Sequence, residues 1–405
     1  MDLQDIRRTR PIFVLLQYRC LNQSERKLKP ATRIALDAQG DAAHVIPMGL
    51  LDTAKKTVGR ARYTAAQGLR SAWYGGQYAI ARRRSAGFNR PGEPVFKPQN
   101  KPQLKALRQA YFDLFRQDRA NIEAGLYPDP VRRELRLRDF PKAVGRAQRF
   151  LSDVPEVDRR RLDRNGTEVR AAEAADPKRF PAYYRQNFHY QTDGWLSEDS
   201  ADIYDHQVEA LFTGAADAMR RAALAELVKQ VRGADQRNIQ VLDLACGTGR
   251  FMSQVMTAMP KLQLSGLDLS PPYAATARKN VRRWPHVQVV EGKAEQLPFD
   301  DQSFDHLISI YLFHELPPRV RPQVIAEAAR VLKPGGTFII ADSLQFGDNE
   351  GVDGFLEYFP EGFHEPYYKG YLNWAFDPHM QKAGFTAERL QLAFLTKVRV
   401  WRKAA

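Results

Sequence analysis

Two aspartates, Asp243 and Asp268, close successive apolar runs in this chain. Asp243 lies in VLDLACGTGR (241–250), just ahead of a turn holding Gly247 and Gly249, and Asp268 ends LSGLDL (264–269). A glycine turn between a strand and a helix ordinarily holds phosphate on the free N–H groups of the helix N-terminus. The pattern here does not suit phosphate. A dinucleotide fingerprint, G-x-G-x-x-G, would need a third glycine where Met252 stands, and a Walker A loop would need Lys then Ser or Thr where the chain has Arg250-Phe251. An NAD-dependent oxidoreductase is therefore the weaker enzyme reading. Asp243 would repel a pyrophosphate and attract an ammonium or a sulfonium.

S-adenosyl-L-methionine carries both cations. Its carboxylate suits the N–H groups of the turn, and its amino group suits Asp243, directly or through water. The carboxylate of Asp268, at the tip of the second strand, suits two ribose hydroxyls, with Leu269 against the adenine. Gly247 and Gly249 let the backbone approach such a ligand closely.

Two further clusters could handle a proton. FHEL (313–316) offers His314 and Glu315 just past the fourth strand, at the edge where ligands of such sheets bind. EYFPEGFHEPYYKGYLNW (357–374) offers His364 and Glu365 among aromatic residues, with Tyr367, Tyr368 and Tyr371 as candidate walls for a flat or lipophilic substrate. The plainer reading makes His314 a helix cap and His364 the partner of a buried group. FHYQTDGWL (188–196), with Tyr204 and Asp205, is a candidate cover over the cofactor. Cys246 reads as a small space-filling residue. No His/Cys/Asp cluster of ligand spacing appears, so no metal is expected.

Four segments in order, VLDLACGTGR, LSGLDLSPPYAATARKN, VEGKAEQLPFDDQSFDHLISIYLFHEL and RVLKPGGTFIIADS, resemble the class I S-adenosylmethionine-dependent methyltransferases. The nearest group is the ubiquinone/menaquinone-biosynthesis-like (type 11) methyltransferases, and the resemblance is strong over about Asn238 to Ser343. It implies cofactor contacts at Asp243, Ala245, Gly247 and Gly249, ribose binding at Asp268, and adenine contacts at Ala294 and Glu295. It also sets Tyr311 beside the methionine part. Relatives carry Gly-Asp-Ala where this chain has Gly292-Lys293-Ala294, which leaves Glu295 or the backbone to meet the adenine amine.

The elements that must position these residues follow from the pattern. Short apolar runs alternate with helical ones from 238 onward, as in a parallel sheet covered on both faces. The expected fold is α/β, a Rossmann-like seven-stranded mostly parallel sheet, its last strands FTAERLQLAF (385–394) and LTKVRVWRK (395–403). One helix is expected from about Ser200 to Leu227.

The chain has 405 residues and a net charge of +14, unevenly spread. Of 61 Lys+Arg and 47 Asp+Glu, residues 1–180 hold 37 and 20, leaving 24 and 27 for the remainder. That asymmetry assigns different tasks to a basic N-terminal region and an acidic catalytic one. Residues 1–47 show no sustained period and read as a poorly ordered extension. Residues 48–180 read as a basic, mainly helical region, and 181–405 as the methyltransferase domain. In the helical region Leu51, Ala54, Val58, Ala61, Ala65, Leu69 and Ala72 form one apolar stripe. Lys55, Lys56, Arg60, Arg62 and Arg70 lie off it. Such a helix fits an anionic membrane surface, with Trp73, Tyr74 and Tyr78 near the interface, or else packs on the catalytic domain. NRPGEPVFKPQNKP (89–102) reads as an extended linker.

The Arg-rich segment 131–180 lacks aromatic interleaving, so nucleic acid is not the expected partner. No apolar run reaches the roughly 20 residues of a membrane span, and two cysteines give no disulfide framework. A cytoplasmic protein, peripheral to the membrane at most, is expected. The reading is a methyltransferase acting on a small aromatic or lipophilic acceptor. An adaptor on membrane or RNA whose methyltransferase domain only binds cofactor is the alternative from another class.

Overall fold

The computed structural model describes residues 48–85, 92–131 and 139–405, so the expected disorder of 1–47 lies outside the described residues. Seven strands form one sheet: β1 (Gln240–Leu244), β2 (Gln263–Asp268), β3 (Gln288–Glu291), β4 (Phe304–Ile310), β5 (Leu332–Ser343), β6 (Phe385–Ala393) and β7 (Thr396–Lys403). Their order is β3-β2-β1-β4-β5-β7-β6. β7 lies antiparallel between β5 and β6, while the pairs among β1 to β5 are parallel. The sheet is the Rossmann-like one expected, with its last two strands where the sequence put them.

The near-continuous apolar character of β1 comes from its position inside the sheet. Val241 and Leu242 are both fully buried, on opposite faces. Val241 joins a cluster with α5 (Ala216–Val231), α6 (Arg250–Ala258) and α7 (Pro271–Val281). Leu242 joins Val324 and Ala328 of α8 (Arg321–Val331) and Phe376 and Met380 of the short helix Phe376–Lys382. Strand order reverses between β1 and β4, so the carboxyl ends of β1, β2, β4 and β5 open onto the crevice where α/β sheets bind ligands.

Where one helix was expected from Ser200 to Leu227, there are two, α4 (Glu198–Leu211) and α5. The break sits at Thr213 and Gly214, both at positive φ. It is held from outside: Tyr111 Oη donates to the Thr213 carbonyl at 3.0 Å and Arg70 Nε to the Gly214 carbonyl at 3.2 Å. These donors come from helices of the basic region, α1 (Met48–Arg84) and α2 (Leu104–Glu123). A third, α3 (Phe140–Asp163), packs against α1 and α4.

The face that α1 turns inward differs from the expected stripe. Val58 and Leu69 are 67% and 64% exposed, while Tyr63, Ala66, Gln67, Gln77 and Ala81 are buried. The polar members decide this. Tyr63 bonds Asp118 of α2, and Gln77 bonds His206 of α4 at 2.6 Å. Trp73 meets Phe140, Tyr74 meets His206, and Tyr78 is half-buried beside α3, so these aromatics face protein.

Residues 92–102 of the proline-rich segment form no helix or strand and are strapped to α9 (Glu350–Gly362). The Glu357 carboxylate accepts from the Gln99 and Asn100 N–H groups at 2.6 and 2.9 Å. Gly354 permits the approach, because a Cβ there would collide with the Asn100 carbonyl and stand 2.7 Å from the Pro102 nitrogen. Gly354→Ala is expected to cost about 1–3 kcal/mol by overpacking. A denaturant midpoint equal to that of the wild type would contradict this contact.

Candidate active site

The turn after β1 is built by left-handed backbone. Ala245, Gly247 and Gly249 have φ of 61°, 54° and 71°. The two glycines do different things. A Cβ on Gly247 would meet nothing within 4 Å, whereas one on Gly249 would stand 3.0 Å from Ala277. Gly247 thus leaves its side open to the cavity, and Gly249, capping α6, lets α7 pack against it.

Asp268 is buried and is held by the turn it faces. Its carboxylate accepts from Gly247 N–H at 2.7 Å and from Ser270 N–H at 2.9 Å. Burial raises its pKa to about 6, against the pull of those N–H donors. Asp243 is 1% exposed and its Oδ2 has no hydrogen-bond partner. Burial, reinforced by the charge of Asp268, raises it to about 8, with Arg220 opposing. An orphaned buried carboxylate beside an open glycine suits a cationic ligand and is costly without one.

These groups surround a first cavity with about 780 Å³ of space, part of it open to solvent. Of the residues named from the sequence, Ala245, Gly247, Asp268, Leu269, Ala294, Glu295 and Tyr311 line it, and Asp243 and Gly249 are not among its lining residues. Lys293 forms a backbone bridge with Gln296. Glu295 accepts from Tyr183 Oη at 2.6 Å. The segment before α4 supplies the roof: Tyr183, Tyr184, Phe188 and Trp195 line the cavity, Phe188 stacked on Trp195 at 4.1 Å. Asp205 accepts from Thr248 Oγ1 at 2.8 Å, tying α4 to the glycine turn.

A second cavity, with about 670 Å³ of space that is likewise partly open to solvent, adjoins the first through shared walls, Tyr204, Tyr311 and Glu315. Its other walls are largely apolar, including Val208, Leu211, Phe212, Phe355, Leu356, Phe359 and Leu395, with His189, His314, Ser343 and Tyr368 as polar members. Tyr311 follows β4 at φ 58° and is pinned by Thr396 at 2.7 Å.

The second-site candidates separate in space. His314, in a short turn at 313–315, places Nδ1 2.5 Å from Asp342 Oδ1. Burial alone would lower its pKa, but Asp342 outweighs that and raises it. Glu315 is pushed well above the carboxylate range by burial, with Glu365 and Asp342 adding to it. His364 lines neither cavity: its ring lies over Gly166, with Nε2 2.8 Å from Gln186 Oε1, and burial lowers its pKa. Its neighbour Glu365 turns inward to His189. Of the three tyrosines, Tyr368 lines the second cavity. Tyr371 donates to the Ser343 carbonyl at 2.6 Å, and Tyr367 pairs with Gln186 at 3.0 Å, both outside the cavities.

Sequence reasoning did not single out His189 as a site residue. No local spacing ties it to Glu315 or Glu365, and the only signal was its place in the aromatic covering segment. It sits at φ 56°, followed by Tyr190 at φ 58°, in a loop held by its own N–H on the His364 carbonyl at 3.1 Å.

Comparison with known proteins agrees with this geometry. Residues 241–336 match the model of a family described as "Methyltransferase domain". Over residues 241–336 the chain is thus similar to methyltransferase domains. It is 35% identical over 153 residues to a demethylmenaquinone methyltransferase of Chlorobaculum tepidum, covering 37% of this chain and 58% of that one. It is 38% identical over 114 residues to a phthiotriol/phenolphthiotriol dimycocerosates methyltransferase of Mycobacterium leprae, covering 27% and 41%. The chain thus spans under two thirds of the length of these curated relatives. A solved S-adenosylmethionine-dependent methyltransferase from Aquifex aeolicus matches at 19% identity and TM-score 0.34, covering 44% of this chain and 88% of that one. S-adenosyl-L-methionine is the cofactor this methyltransferase domain implies, and the orphaned Asp243, the open Gly247 and the Asp268 carboxylate fit it. Among the described residues, no helix is long and apolar enough to cross a membrane.

Proposed function

We propose that this protein is an S-adenosylmethionine-dependent methyltransferase acting on a small lipophilic or aromatic acceptor. The observation that carries the reading is the pair of adjoining cavities sharing Tyr204, Tyr311 and Glu315. One has the carboxylates and open glycine that suit the donor; the other has an apolar wall that suits the acceptor. The acceptors printed in the relatives' names, demethylmenaquinone and phthiotriol dimycocerosates, agree with a lipophilic one. In this reading residues 181–405 are the methyltransferase domain and 48–180 a helical layer packed on it.

When bound, the donor supplies an electrophilic methyl group for in-line displacement. The residues of the chain bind and orient. Asp243 would offset the charge of the ammonium from behind the lining residues, Asp268 would hold the ribose hydroxyls, and Ala294 and Glu295 would flank the adenine. Phe188, Trp195 and Tyr204 exclude water from above. Glu315 stands at the junction of the two cavities, and His314, fixed by Asp342 through Nδ1, lines the second, where its Nε2 is placed to take a proton from the acceptor.

The raised pKa of Asp243 gives a pH prediction. In the unliganded chain stability falls as pH rises from about 4 to about 8, because the unfolded chain surrenders this proton first. A cationic ligand favours the ionised form, so binding below pH 8 releases about one proton. S-adenosylhomocysteine affinity should therefore rise between pH 6 and roughly pH 8 and then level. Calorimetry in buffers of differing ionisation enthalpy reads the released proton directly; zero release at pH 7 would contradict the role given to Asp243.

The function itself is tested with methyl-labelled donor against a panel of phenolic, quinol and lipid hydroxyl acceptors. Label is expected in an apolar acceptor and should be lost on filling the second cavity with Leu211→Trp. Transfer confined to water-soluble polar acceptors would overturn the acceptor class.

A further inference from the structure

At and behind the junction of the two cavities lie three buried carboxyl groups with which no lysine or arginine pairs among the described residues. Glu315, Glu365 and Asp342 are 8%, 4% and 1% exposed. Their ion-pair partners among the described residues are two imidazoles, His189 and His314, with no lysine or arginine. Nearby Arg321 spends its donors on the carbonyls of Phe313, Tyr367 and Gly370. Even with both imidazoles charged, three ionised carboxylates would leave an excess anion in a place where unpaired charge is costly, so without a cation Glu315 keeps its proton.

Three of these side chains converge. One ligand atom each from His189, Glu315 and Glu365 lies within 4.8 Å of the others. His189 Nε2 is 3.9 Å from Glu315 Oε1 and in contact with Glu365 Oε1. The Glu365 side chain is fully buried, and its Oε2 has no hydrogen-bond partner. Donor atoms sharing one metal at about 2.0–2.2 Å stand roughly 3–4 Å apart, so small rotations of these side chains suffice.

We propose that His189, Glu315 and Glu365 bind a first-row divalent cation, Mn²⁺ to Zn²⁺, whose open coordination positions hold an oxygen of the acceptor between the two cavities. One imidazole with two carboxylates is a donor set for these ions rather than for Ca²⁺, which takes oxygen alone. Three protein ligands leave positions for water or substrate, as in catalytic sites. His189 and Glu315 line the acceptor cavity and Glu315 also lines the donor cavity, so those positions face the place of transfer. His314, with Nδ1 on Asp342 and Nε2 3.6 Å from Glu315 Oε1, orients the Glu315 ligand from behind. The inference rests on the methyltransferase reading and narrows its acceptor to one bearing a hydroxyl or enol, whose proton a bound cation makes easier to lose.

The test uses the full chain, stripped with chelator and titrated with Mn²⁺ alone, with loss of the free-ion electron paramagnetic resonance signal as readout and Zn²⁺ as competitor. S-adenosylhomocysteine binding is measured on the same samples. About one Mn²⁺ per chain is expected, and Glu365→Gln and His189→Asn should each weaken it by at least about 10-fold while S-adenosylhomocysteine still binds. Binding of S-adenosylhomocysteine without either metal overturns the metal site and leaves the donor site standing. Equal Mn²⁺ affinity in both folded variants, checked by near-ultraviolet circular dichroism, overturns the ligand assignment. Failure to bind metal and S-adenosylhomocysteine alike removes both readings.

Discussion

Asp268→Ala is expected to weaken S-adenosylhomocysteine binding about 100-fold, through the loss of two charge-assisted hydrogen bonds whose combined worth is about 3 kcal/mol. The carboxylate is fixed before any ligand arrives, because Gly247 and Ser270 hold one oxygen each through their N–H groups. Each oxygen keeps a lone pair for a ribose hydroxyl, and the first cavity opens beside it. Asp268→Asn keeps one acceptor and loses the charge, so its loss should be intermediate, about 10-fold. Isothermal titration of both variants, with circular dichroism to verify the fold, decides the matter. An Asp268→Ala protein that binds as the wild type would mean the ligand lies elsewhere along the sheet edge.

The second large effect is on stability. Asp118→Ala should lower unfolding free energy by about 3–5 kcal/mol, the cost of removing one partner from a buried ion pair. Asp118 is 2% exposed and binds Arg221 through both carboxylate oxygens, at 2.8 and 2.7 Å. Tyr63 and Tyr127 add hydroxyl donors at 2.5 and 2.7 Å. Without the carboxylate, the Arg221 guanidinium and two tyrosine hydroxyls are left buried and unmatched, which is the expensive outcome. The knot joins α1 and α2 of the basic region to α5 beneath the sheet, so its loss should also loosen the Arg70 and Tyr111 contacts that hold the break before α5. Chemical denaturation measures the change. A loss below about 1 kcal/mol would show that the basic helices are only lightly attached.

This dependence explains where the sequence was legible. The parallel strands were readable because burial on both faces demands runs such as Val241–Leu242, and the glycine turn because positive φ demands its residues. Asp243 and Asp268 could be placed at strand tips for the same reason. The face of α1 was misread because a stripe of Ala and Val was weighed above Tyr63 and Gln77, whose polar partners lie on helices distant in sequence. The break at Thr213 was invisible because its stabilising donors, Arg70 and Tyr111, come from more than a hundred residues away. The surroundings of the second cavity show the same limit. Glu365 was noticed beside His364, yet only the fold turns one inward and the other toward Gly166 and Gln186. Nothing local could bring His189 to Glu315.

The central claim is that the first cavity takes S-adenosyl ligands. A thermal-shift comparison of S-adenosylhomocysteine and NAD on the wild-type chain tests it most directly. At about 100 times its dissociation constant a ligand stabilises the fold by roughly 2.7 kcal/mol, enough to read. S-adenosylhomocysteine is expected to raise the melting temperature while NAD leaves it unchanged. A shift with NAD and none with S-adenosylhomocysteine would contradict the account and return the glycine turn to dinucleotide chemistry.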